Sequence, residues 1–412
     1  MTHPTHRTET AHTLSHLRVL ISGASIAGPA LALQLARYGA QVTVVEKAPA
    51  LRAGGFAVDF RGPVHRRVLR DMGIWDEVHA RQTHMGVQTV VNADGSARVT
   101  LPASLMSGDV EILRGELSAI MYERTRGLPN VTYLFGDSIA TLTDSPHQVD
   151  VTFDHAPPAR FDLIVGADGL HSHTRRLVFG DESRFLRYLG FYVAGFDVPN
   201  HLALDRTGRL YCEPNRAACV SNYDGDPDRA GALLVFASGE QLGYDRHDPR
   251  QQDQKKILRE RYAGLGWDTP ALLDALEDTD DLYFDAIAQI HVDRLSQGRV
   301  VLLGDAGYGA TMGGMGTSAA IVAAYVLAGE LAVARGDHRT AFAAYEAEVG
   351  DFVKGCQKIA GNAGPFFAPA TEGKIRRRDR AYRMLSSRLL GGFFKRLTEK
   401  AATAIELKDY PR

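Results

Sequence analysis

The most constraining feature of this chain is a punctuated run near its start. Leu17 to Ser22 reads LRVLIS, an apolar strand, and stops at Gly23. Pro29 to Tyr38 then carries leucines at 31, 33 and 35 and alanines at 30, 32 and 36, a helical pattern ending at Gly39. Proline is tolerated in the first turn of a helix, where its missing N–H has no partner to lose, so the helix starts near Ile26. Glycine past the last turn is a natural stop. Gln41 to Val45 is a second apolar strand. Strand, helix and strand within about thirty residues make a βαβ unit, and a crossover of that length joins parallel strands.

Buried strands of the same kind recur at Asp162 to Val165 and Arg299 to Leu303. The middle of the chain differs. Arg187 to Val198, Arg209 to Cys212, Ala218 to Asn222 and Leu233 to Ala237 are short strand-like runs, with turns such as Asp224-Gly225-Asp226-Pro227 between them. Such spacing predicts antiparallel pairing. From Gly316 onward the pattern is mostly helical. The expected fold class is α/β: a Rossmann-like domain, an inserted and mainly antiparallel sheet, and C-terminal helices. The expected division is a disordered leader at 1–16, a discontinuous nucleotide-binding domain at 17–80, 108–180 and 290–370, a substrate domain at 81–107 and 181–289, and bridging helices at 371–412.

Composition excludes several alternatives. With 47 basic and 49 acidic residues the net charge is -2, which offers no bulk attraction to nucleic acid. At 45% hydrophobic the chain is no disordered polymer. Cys212, Cys219 and Cys356 form no C-x-x-C, so a disulfide scaffold or zinc ribbon is not expected, and a reducing cytoplasm is. His3, His6, His12 and His16 lie in a polar leader without an apolar core, which reads as solvated chain and not as a metal site or signal peptide. Ala306 to Gly329 carries no formal charge and is long enough to cross a bilayer, but Gly307, Gly309, Gly313, Gly314 and Gly316 interrupt it, so stable membrane insertion is not expected. Lys374 to Lys400 holds ten basic and two acidic residues, with Tyr382, Leu385, Leu389, Phe393 and Leu397 at helical spacing. That stripe is expected to dock on the two domains. Glycine is the outlier, 41 of 412 residues, or about 10% against a usual value of roughly 7%.

Three turns explain much of that surplus. Gly23-Ala24-Ser25-Ile26-Ala27-Gly28 follows a strand and opens a helix, in the manner of a dinucleotide fingerprint whose middle glycine is Ser25. A free helix N-terminus offers N–H groups and a positive dipole end to phosphates. Glu46 ends the second strand 23 residues after Gly23, where an acidic side chain accepts hydrogen bonds from a ribose. Gly166-Ala167-Asp168-Gly169 follows the strand FDLIV, ahead of Ser172, Arg175 and Arg176; Gly304-Asp305-Ala306 follows GRVVLL. Both place an aspartate at the carboxyl end of a strand, where α/β sheets bind ligands.

These motifs, in this order, resemble those of the single-component, class A FAD-dependent aromatic monooxygenases, the group of p-hydroxybenzoate hydroxylase. The overall plan is similar to that of tetracycline-inactivating monooxygenases and polyketide hydroxylases. The resemblance implies that Gly23, Ser25 and Gly28, with Ile26 and Ala27 between them and Glu46 and Lys47 opposite, hold the ADP half of FAD. It implies that Arg114, in ILRGEL, lies along the pyrophosphate or ribityl chain. Asp168 and Gly169 would serve FAD and a transient NAD(P)H. Asp305 would bind the ribityl hydroxyls, and Gly314, Met315 and Gly316 would sit beside the flavin pyrimidine edge. The family's usual Ala-His pair after the GDA is Gly307-Tyr308 here, and Met312 stands where proline is common.

The resemblance further implies NAD(P)H and dioxygen as co-substrates, a flavin C4a-hydroperoxide, and hydroxylation or oxidative rearrangement of an aromatic or polyketide-like small molecule. Asp59, Arg61, Tyr192 and Tyr211 are candidate substrate contacts, and His84 and Tyr308 are further possible pocket residues. No catalytic base stands out, no metal is expected, and a monomer or homodimer is. Two alternatives remain: a flavin dehydrogenase or reductase of the same fold, and a non-catalytic FAD-binding protein.

Overall fold

The strand Arg18–Ser22 lies inside a six-stranded sheet. Val19 pairs in parallel with Val42 of Gln41–Glu46 on one side and with Leu163 of Leu163–Gly166 on the other. Val131–Phe135 extends the sheet at one edge; Val300–Leu302 extends it at the other, where Ser296–Gln297 closes it antiparallel. Parallel strands covered on both faces are apolar at nearly every position, and Val19, Leu20 and Ile21 are all fully buried. Ala27–Arg37 and the long helix Gly316–Val333 pack together over one face. The other face carries a three-stranded antiparallel sheet, Ile139–Asp144, Val149–Phe153 and Ala159–Phe161, whose Val149, Val151 and Phe161 pack on Leu20, Ile164 and Val300. The computed structural model describes residues 13–51, 54–103, 108–246, 248, 250–312, 316–386 and 405–411. His3, His6, His12, Gly313, Gly314, Met315, Leu389, Phe393 and Leu397 lie outside the described residues.

The second sheet has seven strands, in the order Tyr283–Ile290, Leu186–Pro199, Arg229–Ala237, Arg216–Ser221, Gly208–Glu213, Gln88–Val91 and Ala97–Leu101. Every pairing is antiparallel except that of Gly208–Glu213 with Gln88–Val91. One face, here the far face, packs under Gln252–Tyr262 and Thr269–Asp278 through Leu258, Tyr262, Leu272 and Leu276. The other, the near face, meets Phe56, Met312 and Phe367 and the C-terminal helix Glu372–Leu385. A two-stranded ribbon, Ala57–Phe60 with Val110–Leu113, belongs to neither sheet.

The basic C-terminal region is anchored as well as charged. Ile375 and Tyr382 pack on the near face, Asp379 is buried against Arg98 and Arg378, and Arg378 Nη2 donates to Cys212 Sγ at 3.0 Å. Further on, the Tyr410 hydroxyl donates to Glu330 at 2.8 Å, and the Lys408 ammonium pairs with Glu330 at 2.9 Å and Glu348 at 2.6 Å. Gly316–Val333 is apolar and long enough to cross a membrane, but it is 83% buried inside the protein.

Candidate flavin site

Three turns meet at the carboxyl ends of neighbouring strands, and two of them touch backbone to backbone. Gly23 has φ +109°, and a Cβ there would stand 2.4 Å from the Ala167 carbonyl oxygen. A Cβ on Gly28 would stand 1.9 Å from the Gly23 carbonyl oxygen. Only glycine permits either approach. The helix that follows begins at Ala27 with no side-chain cap, as an anion-accepting N-terminus requires. Ser25, in the middle-glycine position, accepts from Arg114 Nη2 at 3.0 Å, and its carbonyl accepts from Ser118 Oγ at 2.9 Å. The arginine the resemblance singled out is thus held against this turn by the helix Arg114–Thr125.

Glu46 clamps the strand ends: its carboxylate accepts from Ala24 N at 2.8 Å and Ala48 N at 2.9 Å. Each oxygen keeps a lone pair for a further donor. Lys47 beside it is exposed.

Asp168 is bound first of all by its own turn. Its carboxylate accepts from Ser172 Oγ, from Ser22 Oγ at 3.3 Å, and from the backbone and hydroxyl of Thr174, both at 2.9 Å. It builds its own turn and the start of His173–Phe179, and Oδ1, with Ser172 as its donor, keeps a lone pair for one more. The open part of the turn is Gly169, at φ +81° with nothing within 4 Å of where a Cβ would be.

Arg175, noted in the sequence only as following this motif, proves to be the tie between the second and third turns. Fully buried, it donates to the carbonyls of Leu170 and Ala306, both at 2.8 Å, and to Glu182 at 2.9 Å. Beside it His171 bridges Glu182 at 2.9 Å and Asp285 at 3.0 Å, so the second turn is also tied to the seven-stranded sheet. Burial alone would lower the His171 pKa, but the hydrogen bonds to Asp285 and Glu182 outweigh it and raise it to about 8.

In the third turn Gly304, at φ +65°, lets the chain pass Ala27; a Cβ would stand 3.2 Å from the Ala27 Cβ. Asp305 opens the short helix Asp305–Tyr308, and its side chain is reached by water through the cleft although protein encloses it at longer range. That enclosure pushes its carboxyl up, and the Arg114 guanidinium draws it back down. A Cβ on Gly316 would stand 3.5 Å from Asp305 Oδ1, so the long helix begins beside this carboxylate. The Gly307-Tyr308 departure has a packing reason. A Cβ on Gly307 would stand 2.7 Å from Leu295 Cδ2, and the Tyr308 side chain is buried in the core. Tyr308 therefore presents nothing to the cleft. A separate open cleft of about 1290 Å3, lined by Asp144, Arg184, Arg299, His338 and Glu346, lies beyond the opposite strand ends and shares none of these turns.

The four expected substrate contacts are not brought together. Asp59 and Arg61 form an ion pair with each other on the two-stranded ribbon, the Arg61 Nε donating at 2.6 Å. Tyr192 is 1% exposed on the far face, stacked between Phe236 and Phe284 at 5.5 Å each, with its hydroxyl accepting from Leu242 N at 2.7 Å. Tyr211 is buried on the same face and donates to Glu213 at 2.9 Å. Both are core residues, which corrects the expectation; His84 is exposed. Their neighbours by one, Phe191, Val193 and Cys212, lie on the near face. The register shift between Tyr188 and Phe191 inserts two residues, so the alternation carries through it: Tyr188 and Tyr192 share the far face, Leu189 and Phe191 the near one. Phe56, Leu233, Met312 and Phe367, all half-buried, join Phe191 there. Alternation in the sequence signalled two-sided strands without saying which side lies under the helices and which meets Phe56 and Met312.

Comparison with known proteins agrees with this geometry. A family described as an FAD binding domain matches residues 16–202. The chain is similar to an uncharacterized protein of Mycobacterium tuberculosis, 41% identical over 366 residues, which cover 87% of this chain and 96% of that protein. It is also similar to a flavin-dependent monooxygenase of Legionella longbeachae, 34% identical over 349 residues covering 84% of this chain and 88% of the relative. Among solved structures it resembles tetracycline destructase Tet(55), with a TM-score of 0.80, 36% identity, and coverage of 95% of this chain and 98% of that one. FAD is the cofactor.

Proposed function

Because the chain belongs to the flavin-dependent monooxygenases, we propose that it uses NAD(P)H and dioxygen to hydroxylate, or oxidatively rearrange, a planar aromatic or polyketide-like molecule. On this reading Gly23, Ser25, Ile26, Ala27, Gly28, Glu46 and Lys47 hold the ADP half of FAD. Arg114 and Asp305 hold its linker, Gly314, Met315 and Gly316 its pyrimidine edge, and Asp168 and Gly169 the second turn. The stretches 17–80, 108–180 and 290–370 are the FAD domain; 81–107 and 181–289 receive the substrate; 371–412 bridges the two. The bound flavin, once reduced, supplies oxygen activation. The chain's own residues bind, orient and exclude water.

The observation that carries the substrate class is the near face of the seven-stranded sheet. Phe56, Phe191, Leu233, Met312 and Phe367 present half-buried apolar surface on the cofactor side. Pockets for drug-sized ligands are mainly apolar, with few polar groups. No side-chain base is needed where the substrate carbon is already electron-rich. The buried free thiols Cys212, Cys219 and Cys356 suit a reducing cytoplasm.

The test is turnover of FAD-loaded protein with NADPH, dioxygen and a tetracycline as the planar polyketide probe. We expect probe-stimulated NADPH oxidation and a product heavier by one oxygen atom, labelled from 18O2. NADPH oxidation with an unlabelled, dehydrogenated product would replace this reading with a dehydrogenase. Stoichiometric FAD that NADPH never reduces would replace it with a non-catalytic flavin binder.

A further inference from the structure

Tyr283 opens the edge strand Tyr283–Ile290 and is its only exposed residue; the other seven are buried. At 37% exposure it is unusual for a large side chain on the near face. Its ring meets that of Phe56 edge-on, with centroids 5.6 Å apart and planes at 89°, a favoured aromatic geometry. Phe56 in turn lies on bare backbone. Gly195 stands opposite Tyr283 in the sheet register, and a Cβ there would stand 2.2 Å from the Phe56 ring. Two residues earlier, a Cβ on Gly54 would stand 2.7 Å from the Asp281 carboxylate, so the segments 54–56 and 281–283 run side by side.

This pair connects directly to the cofactor turns. The Phe56 carbonyl accepts from Arg114 N at 3.1 Å, the Arg114 side chain packs over Gly55, and Arg114 reaches Ser25. The Tyr283 hydroxyl has no hydrogen-bond partner among the described residues. A tyrosine whose ring is fixed and whose hydroxyl is free, at the cofactor end of the sheet, is placed to contact something the protein binds.

We propose that Tyr283, braced by Phe56 on Gly195, is the sheet-side wall of the flavin chamber and a positioning residue in contact with the isoalloxazine ring. The wall sets how closely the ring approaches the near face. The ligand is the FAD already assigned, so the claim stands whatever the substrate is.

Tyr283→Phe removes one unpartnered oxygen and leaves the ring–ring contact, so the fold and FAD stoichiometry are retained. A phenol touching an excited flavin quenches it by electron transfer, and phenylalanine does not. We expect at least a twofold rise in emission from bound FAD, or a shift of the oxidised flavin absorbance maxima by several nanometres. Gly195→Ala is the second arm. It displaces Phe56 and the wall with it, and should move the same maxima while Tyr283 keeps its hydroxyl. If emission, absorbance maxima and flavin midpoint potential in both variants match those of the parent at equal FAD occupancy, Tyr283 does not touch the flavin and the proposal is overturned.

Discussion

The cofactor turns and the near face of the seven-stranded sheet lie against each other, yet they are made of different material. The turns are backbone: Gly23 against the Ala167 carbonyl, Gly28 against the Gly23 carbonyl, Gly304 against Ala27. The near face is side chain: Phe191, Leu233, Cys212 and Ile287, with Phe56 and Met312 laid on them. Backbone contacts leave no room to adjust, because a carbonyl at the hydrogen-bonded end of a sheet strand cannot rotate aside. Side-chain contacts repack. The first region therefore sets what cofactor is held, and the second can vary to set what lies beside it.

The sharpest way to break that contrast is to add atoms to a turn. Gly28→Val places a Cβ where only 1.9 Å separates it from the Gly23 oxygen. The helix must move away from its strand, at a cost of about 3 kcal/mol or more. FAD affinity should fall about 100-fold, by the relation of 1.4 kcal/mol per tenfold. The flavin-to-protein absorbance ratio after gel filtration reads it directly. Retention of FAD at parental stoichiometry would show that the turn is more pliable than its contacts imply.

The same contrast explains what could be read from the sequence. Backbone demands leave residue-type signatures: glycine where φ is positive or a Cβ has no space, proline in a first turn, an acidic residue at a strand end. Hence Gly23, Gly28, Glu46 and Asp305 were legible, and so was the βαβ core. Asp168 was legible as a motif, but its role as acceptor for Ser22, Ser172 and Thr174 was not, because it is decided by rotamer. The near face was not legible. Alternation separates Phe191 from Tyr192, and Gly190 at φ +84° marks the bulge before them, but neither says which face is covered by Gln252–Tyr262 and Thr269–Asp278 and which meets Phe56 and Met312. The three-stranded layer left little trace.

Adjacent leucines test the parity. Leu234 is fully buried on the far face, whereas Leu233 is half-buried on the near face. Leu234→Ala should cost about 2 to 5 kcal/mol of stability, as cavity-forming substitutions do, with little change in affinity for a planar apolar ligand. Leu233→Ala should cost less stability and weaken that affinity about tenfold, the worth of roughly 1.5 kcal/mol of lost apolar contact. Melting curves and titration of the flavin spectrum separate the two. An exchange of outcomes would mean that the strand is slipped by one residue.

The smallest effect belongs to the tie between the two regions. His171 sits between Glu182 and Asp285, with Arg246, Arg175 and Tyr244 also facing the cluster. Its pKa rises from 6.5 to about 8 on folding. The folded protein therefore binds this proton more tightly than the unfolded chain. The stabilisation is complete below about pH 6.5 and is lost as pH rises through about 8. With the side chain 29% exposed and Arg246 opposing the charge, the contribution is on the order of 1 kcal/mol. In a chain of this size that is about 2 °C in melting temperature. The melting temperature should fall by that amount between pH 6.5 and 8.5 relative to His171→Gln, whose amide has no proton to lose there. Because the histidine joins the second turn to the sheet, the fall should be accompanied by looser approach of the two regions. A fall in the hydrogen-exchange protection factors of the strand Tyr283–Ile290 at the higher pH, after correction for the intrinsic rate and absent in His171→Gln, reads that loosening; equal protection in both proteins would assign the histidine to local packing alone.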